Sequence, residues 1–467
     1  MVTEASGTTA ATGAHYASGA TGTAGPTGTA GATGGPVPSG GASPARGGVA
    51  DILAPFLRLV VGTGAPVRFE FWDGSAIGPT DGVGTLRIRS ADAVRRILWS
   101  PGELGVARAF VSGDLTIEGD IYELLRALHD ASPRDLRQLG LRTVPTMVGA
   151  ARKLGVLGPP PPVPAEECRP AGRLHSRARD ATVISHHYDV GNEFYRLVLG
   201  PSMTYSCARF VDAGSTLEDA QSAKHELICR KLGIDATPGA RLLDVGCGWG
   251  SMAMHAARFH GARVVGVAVS REQVDEATRR VRSAGLDGQV EIRLQDYRDL
   301  RGERFDAISS IGMFEHVGSG RMTVYFDTLH ELLTPTGRLL NHAISTPGGS
   351  RLGRRSFVGR YVFPDGELVD VSEVVRAMQR AGFEVRDVES LREHYSRTLH
   401  HWVANLEEHW DEAVALVGLP RATIWRLYMA ASANGFDDGG LAIHQVLGVV
   451  PGPDGTSGMP PTRTGWG

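Results

Sequence analysis

Leu242-Leu243-Asp244-Val245-Gly246-Cys247-Gly248-Trp249-Gly250 is a short apolar run that breaks into glycines, and its surroundings decide the fold. A buried parallel strand that runs into glycines and then a helix presents that helix's free N–H groups to a nucleotide-like ligand. Here the helix opens near Ser251. A GxGxG occurs in many unrelated chains, so its weight rests on what flanks it. Working outward, apolar runs predict strands over 241–245, 263–269, 289–294, 305–310 and 337–342. Helical spacing falls between them, over 251–259 and 271–284. Such alternation makes an α/β fold with a doubly wound, mostly parallel sheet, whose ligands bind at the carboxyl ends of the strands.

The rest of the 467 residues divides by composition. Residues 1–48 are dominated by Gly, Ala, Thr, Ser and Pro and are expected to be disordered, as is the tail 451–467. A smaller α+β domain is expected over 49–158. In it, Ile52, Phe56, Leu57 and Val60 keep helical spacing and residues 66–71 alternate as a strand. Asp73-Gly74 signals a turn, 85–89 reads as a partner strand, Ser90 caps a helix to about Trp99, and residues 110–117 read as another strand and turn. The basic and apolar stretch 141–157 reads either as an amphipathic helix on a lipid surface or as a helix packed on its neighbour. A Pro-rich and charged linker, 159–180, leads to the catalytic domain, 181–450.

Hydrophobic content of 42%, charged content of 21% and a net charge of −3 describe a globular protein with no bulk preference for nucleic acid. Only Lys153, Lys224 and Lys231 are lysines, against 45 arginines, a bias that fits a GC-rich coding genome. The four cysteines have no CxxC or Cys/His spacing, so no metal site is expected. No run approaches the ~20 apolar residues of a membrane span, nor does the N-terminus look like a signal peptide. The expected location is the cytoplasm.

The ligand is not a dinucleotide by pattern, because Gly246-Cys247-Gly248-Trp249-Gly250 lacks the GxGxxG spacing and the second strand ends Val267-Ala268-Val269-Ser270 without an acid. The run resembles motif I of S-adenosylmethionine methyltransferases, with Asp244 before Gly246, Gly248 and Gly250. Ser270 and Gln273 then stand near the ribose end, and Gln295-Asp296-Tyr297 offers a polar edge and an aromatic face for adenine. Further blocks give the family. His187-Tyr188-Asp189-Val190-Gly191-Asn192, Met203-Thr204-Tyr205-Ser206-Cys207-Ala208, Gly312-Met313-Phe314-Glu315-His316-Val317-Gly318, Asn341-His342-Ala343-Ile344, Arg392-Glu393-His394-Tyr395 and His444-Gln445-Val446-Leu447 together resemble cyclopropane-fatty-acyl-phospholipid synthases. Pro364-Asp365-Gly366-Glu367 and the Arg-rich composition look nearest to actinobacterial enzymes making methylene-branched acyl chains, precursors of 10-methyl (tuberculostearate-type) lipids.

That resemblance implies a Rossmann-like class I methyltransferase acting on a cis double bond of oleoyl-type phospholipid acyl chains. A carbocation forms, and a bound bicarbonate removes a proton, leaving a methylene branch or, alternatively, a cyclopropane ring. The family's bicarbonate ligands map to Cys207, Glu315, His342, Tyr395 and the backbone of Ile344, and Tyr205 and Ser206 map to the methionine end of the cofactor. Tyr188 and Gly191 are further candidates. The resemblance also implies a homodimer peripheral to the inner face of the membrane, with no nucleic-acid partner. A reductase completing a methyl branch is expected to be a separate protein, since no second dinucleotide motif is present. Each residue has a plainer reading: Cys207 as a small buried hydrophobe, His316 as structural, and Trp249, Trp402, Trp410, Phe314, Tyr325 and Tyr361 as core. His186/His187 and His400/His401 are adjacent pairs whose rings point apart. The competing classes are an enzyme for carrier-bound acyl chains and a non-catalytic lipid- or cofactor-binding paralogue.

Overall fold

Alternating burial along Val67–Phe71 makes it the first strand (β1) of a small sheet. The computed structural model describes residues 48–466 other than 63, 132–135, 171, 173–178, 180–182, 184–186, 188–189, 349, 352 and 354–355. The expectation for 1–48 lies outside the described residues up to Gly48. β1 turns at Asp73–Gly74 into β2 (Ala76–Ile77), then pairs in parallel with β3 (Gly84–Ile88), which pairs antiparallel with β4 (Leu115–Gly119). Ser90 caps the helix Ala91–Trp99 by accepting from the Asp92 N–H. One expectation fails: Phe110 and Val111 belong to the helix Glu103–Val111, not to a strand. Their bulk and β-branching read as strand, but Leu104, Ala107 and Val111 recur at helical spacing and are buried together.

The helix Leu136–Lys153 packs its described half on this domain, with Ala150 and Ala151 buried against Val49 and Leu53. That agrees with the packed-helix reading. The Pro-rich start of the linker is strapped to the first domain: Arg96 donates to the Pro162 carbonyl at 2.6 Å, and just ahead of the linker Trp99 Nε1 donates to the Gly158 carbonyl at 2.9 Å. Glu167, its side chain wholly buried, accepts from Arg108 Nε (2.7 Å) and Nη2 (2.9 Å). Burial would raise this carboxyl, yet the Arg108 and Arg169 hydrogen bonds hold it below its ordinary range. Removing Arg108 leaves a buried carboxylate short of its bidentate partner. Arg108→Ala should therefore lower unfolding free energy by roughly 2 kcal/mol, read as a lower denaturation midpoint at unchanged m-value.

The second sheet positions the site. Its strands in chain order are β5 (Arg241–Val245), β6 (Arg263–Ala268), β7 (Val290–Leu294), β8 (Phe305–Ile311) and β9 (Leu333–Ser345). A separate two-stranded pair, β10 (Ser350–Arg351) and β11 (Glu367–Leu368), precedes β12 (Glu384–Ser390) and β13 (Ala442–Val449). The spatial order is β12-β13-β9-β8-β5-β6-β7; β9 to β7 run parallel, and β13 alone is reversed, pairing antiparallel with both β9 and β12. Because β5 lies between β6 and β8, the chain reverses its winding there, and the glycine run sits at that switch point. The sequence reading assigns no strand to β12 or β13. β12 carries Glu384, Arg386, Asp387 and Glu389, so it lacks an apolar run.

The two domains share a core. Leu104, Ala107 and Val111 join Phe194, Leu399, Trp402 and Met429 in one buried cluster, and the Asn434 amide donates to the Tyr122 carbonyl at 2.9 Å. The tail is also placed, against expectation. Arg338 donates to Gly458 O (2.8 Å), Arg463 pairs with Asp387 (2.8 Å), and Met459 and Trp466 pack on the cluster around Ile228 and Leu340. Few side chains anchor it, so its Gly/Pro-rich composition hides the contacts. Among the described residues, no helix is long and apolar enough to cross a membrane.

Candidate active site

Gly246, Gly248 and Gly250 all adopt left-handed backbone (φ +75°, +54° and +80°), which lets the chain turn sharply from β5 into the helix Ser251–His260. The N–H groups of Gly246 and Cys247 both donate to the Val267 carbonyl, at 2.9 and 3.1 Å, fixing the loop to β6. Beside it opens a cavity of about 190 Å³. Asp244, Gly246, Gly248 and Gln273 line it, with Gln295, Asp296 and Tyr297 beyond β7 and Tyr205 and Ser206 opposite. Asp244 is buried; its Oδ1 accepts from Ser309 Oγ (2.7 Å) while Oδ2 has no protein partner. Burial pushes its carboxyl up to about 6, against the Ser309 hydrogen bond. Asp296 caps the turn Tyr297–Asp299 and pairs with Arg298 at 2.6 Å.

Two expected cofactor residues serve the scaffold instead. Gly250 faces Ala277, whose Cβ would stand 3.4 Å from an added Cβ, and Ser270 caps the helix Arg271–Ser283 by accepting from the Gln273 N–H. Neither lines the cavity. Gly191 opens the helix Asn192–Leu199, whereas Tyr188 and His186 lie outside the described residues. His400 stacks on Tyr122 and His401 on Phe210, so that pair does point apart.

The other candidates gather on the β9–β13 side. Glu315 sits in the turn Phe314–His316 after β8, and its Oε1 accepts the Ile344 N–H at 2.7 Å. Oε2 is buried without a partner, and burial pushes the carboxyl up to about 7. His342, fully buried on β9, faces Gln445 of β13, whose amide Nε2 stands 3.2 Å from His342 Nδ1. With that amide donating, Nε2 carries the ring proton and has no acceptor. Burial keeps the ring neutral, well below the ordinary histidine range. The Cys207 thiol, pushed up by burial, points at the carbonyls of Ala208 (3.1 Å) and Leu391 (3.6 Å). Leu391 O also accepts the Tyr395 N–H (3.1 Å), and Leu391 N donates to Ile443 O, opposite Ile344 across the strand pair. Glu315 and Ile344 are thus joined directly, and Cys207 and Tyr395 through Leu391. None of the five lines the cofactor cavity itself.

Tyr205 connects the two halves. Its ring lies 5.3 Å from Trp402 and 5.7 Å from Trp425, and Trp402 in turn meets Tyr395 edge-on at 6.0 Å. Trp402 is core, as expected, but its Nε1 is buried without a partner. His316 lines the cavity, and burial lowers it to about 4, so it is a neutral wall. Lys224 escaped the sequence reading. It lines the cavity wholly buried, its Nζ 2.9 Å from Ser206 Oγ and 3.0 Å from His225 Nε2, and burial lowers it to about 7. A signal existed: a lysine kept in a chain of 45 arginines marks a place where a guanidinium fork does not fit.

Comparison with known proteins decides the family. The model described as mycolic acid cyclopropane synthetase matches residues 175–446. The chain belongs to that family. A "probable fatty acid methyltransferase" of Mycobacterium tuberculosis is 43% identical over 425 residues, covering 87% of this chain and 97% of its own length. A tuberculostearic acid methyltransferase of the same organism is 32% identical, covering 84% and 89%. A crystal structure of the mycolic acid cyclopropane synthase CmaA1 complexed with SAH and CTAB superposes with a TM-score of 0.54, at 32% identity over 58% of this chain and 98% of its own. As a cyclopropane-synthase-family protein, the chain is an S-adenosylmethionine-dependent methyltransferase of lipid acyl chains with a class I fold. Its cavity suits that cofactor. A Cβ on Gly246 would come within 2.9 Å of Met313, and the Gln273 amide lies 3.9 Å from the Cβ position of Gly248, leaving the loop bare where the ligand approaches.

Proposed function

We propose that this methyltransferase acts on the cis double bond of oleoyl-type chains in phospholipids and leaves a methylene branch, the 10-methylene stearoyl precursor of tuberculostearate. The observation that carries this reading is two buried polar atoms without protein partners, Glu315 Oε2 and His342 Nε2, on residues that β9 ties together: Glu315 holds the N–H of Ile344, two residues along the strand from His342. Methyl transfer to an amine or hydroxyl does not require a proton acceptor sealed in an apolar wall. Transfer to an alkene does, because the new C–C bond leaves positive charge on the neighbouring carbon and a C–H proton must then depart.

S-adenosylmethionine, when bound, supplies a sulfonium methyl as the electrophile. The chain's residues do the remainder. The glycine run, Gln273 and Tyr297 hold the cofactor. The rings of Tyr205 and Trp402 offer their negative faces to the developing cation and exclude water. The open atoms fit bicarbonate, an ion able to donate its hydroxyl to Glu315 Oε2 and accept from His342 Nε2–H. Ile344 then acts through Glu315: its N–H already holds the carboxylate, and it orients that group rather than the ion.

The name of the tuberculostearic acid relative favours the methylene product. The family's cyclopropane description favours ring closure as the second reading, from the same cation. Phospholipid vesicles containing oleoyl chains and methyl-labelled S-adenosylmethionine test both. Label should enter the phospholipid, and mass spectrometry of the product should resolve methylene from ring. No label in phospholipid, with carrier-linked oleate labelled instead, would transfer the activity to that substrate. We further propose a homodimer working in the cytoplasm at the inner membrane face, with a separate reductase completing the methyl branch.

A further inference from the structure

At the far end of the helix that opens at the glycine run, a second group of side chains joins two helices. Cys229, His255 and His260 each offer one ligand atom, and these atoms lie within 4.8 Å of one another. Both imidazoles converge on a single carboxylate oxygen: Glu226 Oε2 stands 3.4 Å from His255 Nε2 and 2.8 Å from His260 Nε2. Glu226 and Cys229 are three residues apart on the helix Leu217–Leu232, hence on one face. His255 and His260 belong to Ser251–His260. Cys229 is fully buried and His255 nearly so. Arg230 occupies Glu226 Oε1 (2.8 Å) and leaves Oε2 to the histidines.

We propose that Cys229, His255, His260 and Glu226 form a binding site for a borderline divalent cation of the zinc class. One sulfur, two imidazole nitrogens and one carboxylate oxygen are a tetrahedral zinc set, whereas magnesium and calcium take oxygen ligands. Binding is balanced in protons: the Cys229 thiol loses its proton to solvent, and each ring keeps one proton by carrying it on Nδ1. Thiolate and carboxylate then offset the two positive charges, so the filled site is neutral, as a buried position requires. Zinc bonds of about 2.0–2.3 Å put tetrahedral ligand atoms roughly 3.5 Å apart, so Cys229, His255 and His260 must close by about 1 Å, while Glu226 Oε2 already stands 2.8 and 3.4 Å from the two imidazoles. His260 can supply that movement, being the last residue of its helix before Gly261 in left-handed backbone. With all four positions filled by protein, the site is structural rather than catalytic. It pins the helix that carries Lys224 and His225 to the cavity against the helix that starts at the cofactor loop; His225 and His255 already lie ring to ring at 5.5 Å.

Spacing alone could not disclose this group, because its ligands come from two helices with no paired cysteines. The test uses the full chain, stripped with a chelator and titrated with Co(II). One equivalent should bind, with near-ultraviolet thiolate charge-transfer absorption and the intense visible bands of a tetrahedral site. Zn(II) should displace it and raise the melting temperature. Cys229→Ser should abolish the charge-transfer band, and His260→Ala should weaken uptake by roughly 100-fold or more, while Cys168→Ser changes neither. Circular dichroism and S-adenosylhomocysteine binding verify that the variants are folded. Absence of stoichiometric uptake by the parent chain overturns the proposal, as does a charge-transfer band that survives Cys229→Ser or uptake unaltered by His260→Ala.

Discussion

Glu315→Gln should lower kcat for methyl transfer by roughly 10²–10⁴-fold, the scale of a lost proton-transfer group, while S-adenosylhomocysteine affinity stays within about threefold. The substituted amide still accepts the Ile344 N–H through its oxygen, so the turn after β8 keeps its shape. What changes is the second atom. Oε2, a buried acceptor with no protein partner, becomes an NH₂ that cannot accept. The base it would orient loses its anchor after the cofactor has bound, which is why turnover suffers and affinity does not. Equal losses in both quantities would reassign Glu315 to the cofactor site.

The same substitution has an opposite effect on stability, and the sign follows from burial. The folded carboxyl is raised from 4.5 to about 7. A group whose folded pKa is raised favours the fold while protonated, and so destabilises it progressively as pH climbs between those two values. The full penalty is at most about 3 kcal/mol. Glu315→Gln should be neutral in stability below about pH 4.5 and should raise the melting temperature above about pH 7. Parent kcat/KM should rise through the region near pH 7 as the carboxylate forms, and the variant should lack that limb. A variant that is both inactive and less stable at about pH 8 would indicate that Glu315 holds the fold together.

How far the sequence could be read follows a physical divide. Elements whose determinants are local were legible: the β5 glycines because only glycine enters left-handed backbone freely, and the helix at Ala91 because Ser90 caps it. Parallel strands buried on both faces announced themselves as apolar runs. Features set by partners distant in the chain were not. β12 is charged along its length and becomes a strand only because β13 pairs with it across a long helical insertion. Lys224 gains its chemistry from Ser206 and the cavity, and the Cys229–His255–His260 group, with Glu226 bonded to both rings, comes from two helices meeting. The tail acquires order through Arg463 on Asp387, a contact no composition could announce. For the proposed base site the resemblance supplied the residues, and the structure adds two hydrogen bonds that the motifs do not disclose. Ile344 spends its N–H on Glu315, and the Cys207 thiol turns to a backbone carbonyl, so neither offers that group to an ion.

Gly246→Ala tests the donor half as Glu315→Gln tests the acceptor half. At φ +75° an L-side chain is strained by about 1–2 kcal/mol. The new methyl would also stand 2.9 Å from Met313 Cγ and 3.1 Å from its Cβ. The side chain's tip can swing away, but its Cβ cannot without moving the turn that carries Glu315. The loop's alternative is to relax toward the cavity, since the Gly246 N–H bond to Val267 gives way more easily than β5 itself. Either path narrows the space that Gly246 leaves for the methionine end of the cofactor. Affinity for S-adenosylhomocysteine should fall roughly 30–100-fold, the equivalent of about 2–3 kcal/mol, with kcat at saturating cofactor within a few-fold of the parent. Calorimetric titration reads the first quantity without any turnover, and labelled transfer at high cofactor reads the second. Because the two lesions lie in separate halves with no shared hydrogen bond, their effects on kcat/KM should add in the double variant. A marked shortfall from additivity would mean that Met313 transmits the strain into the Glu315 turn.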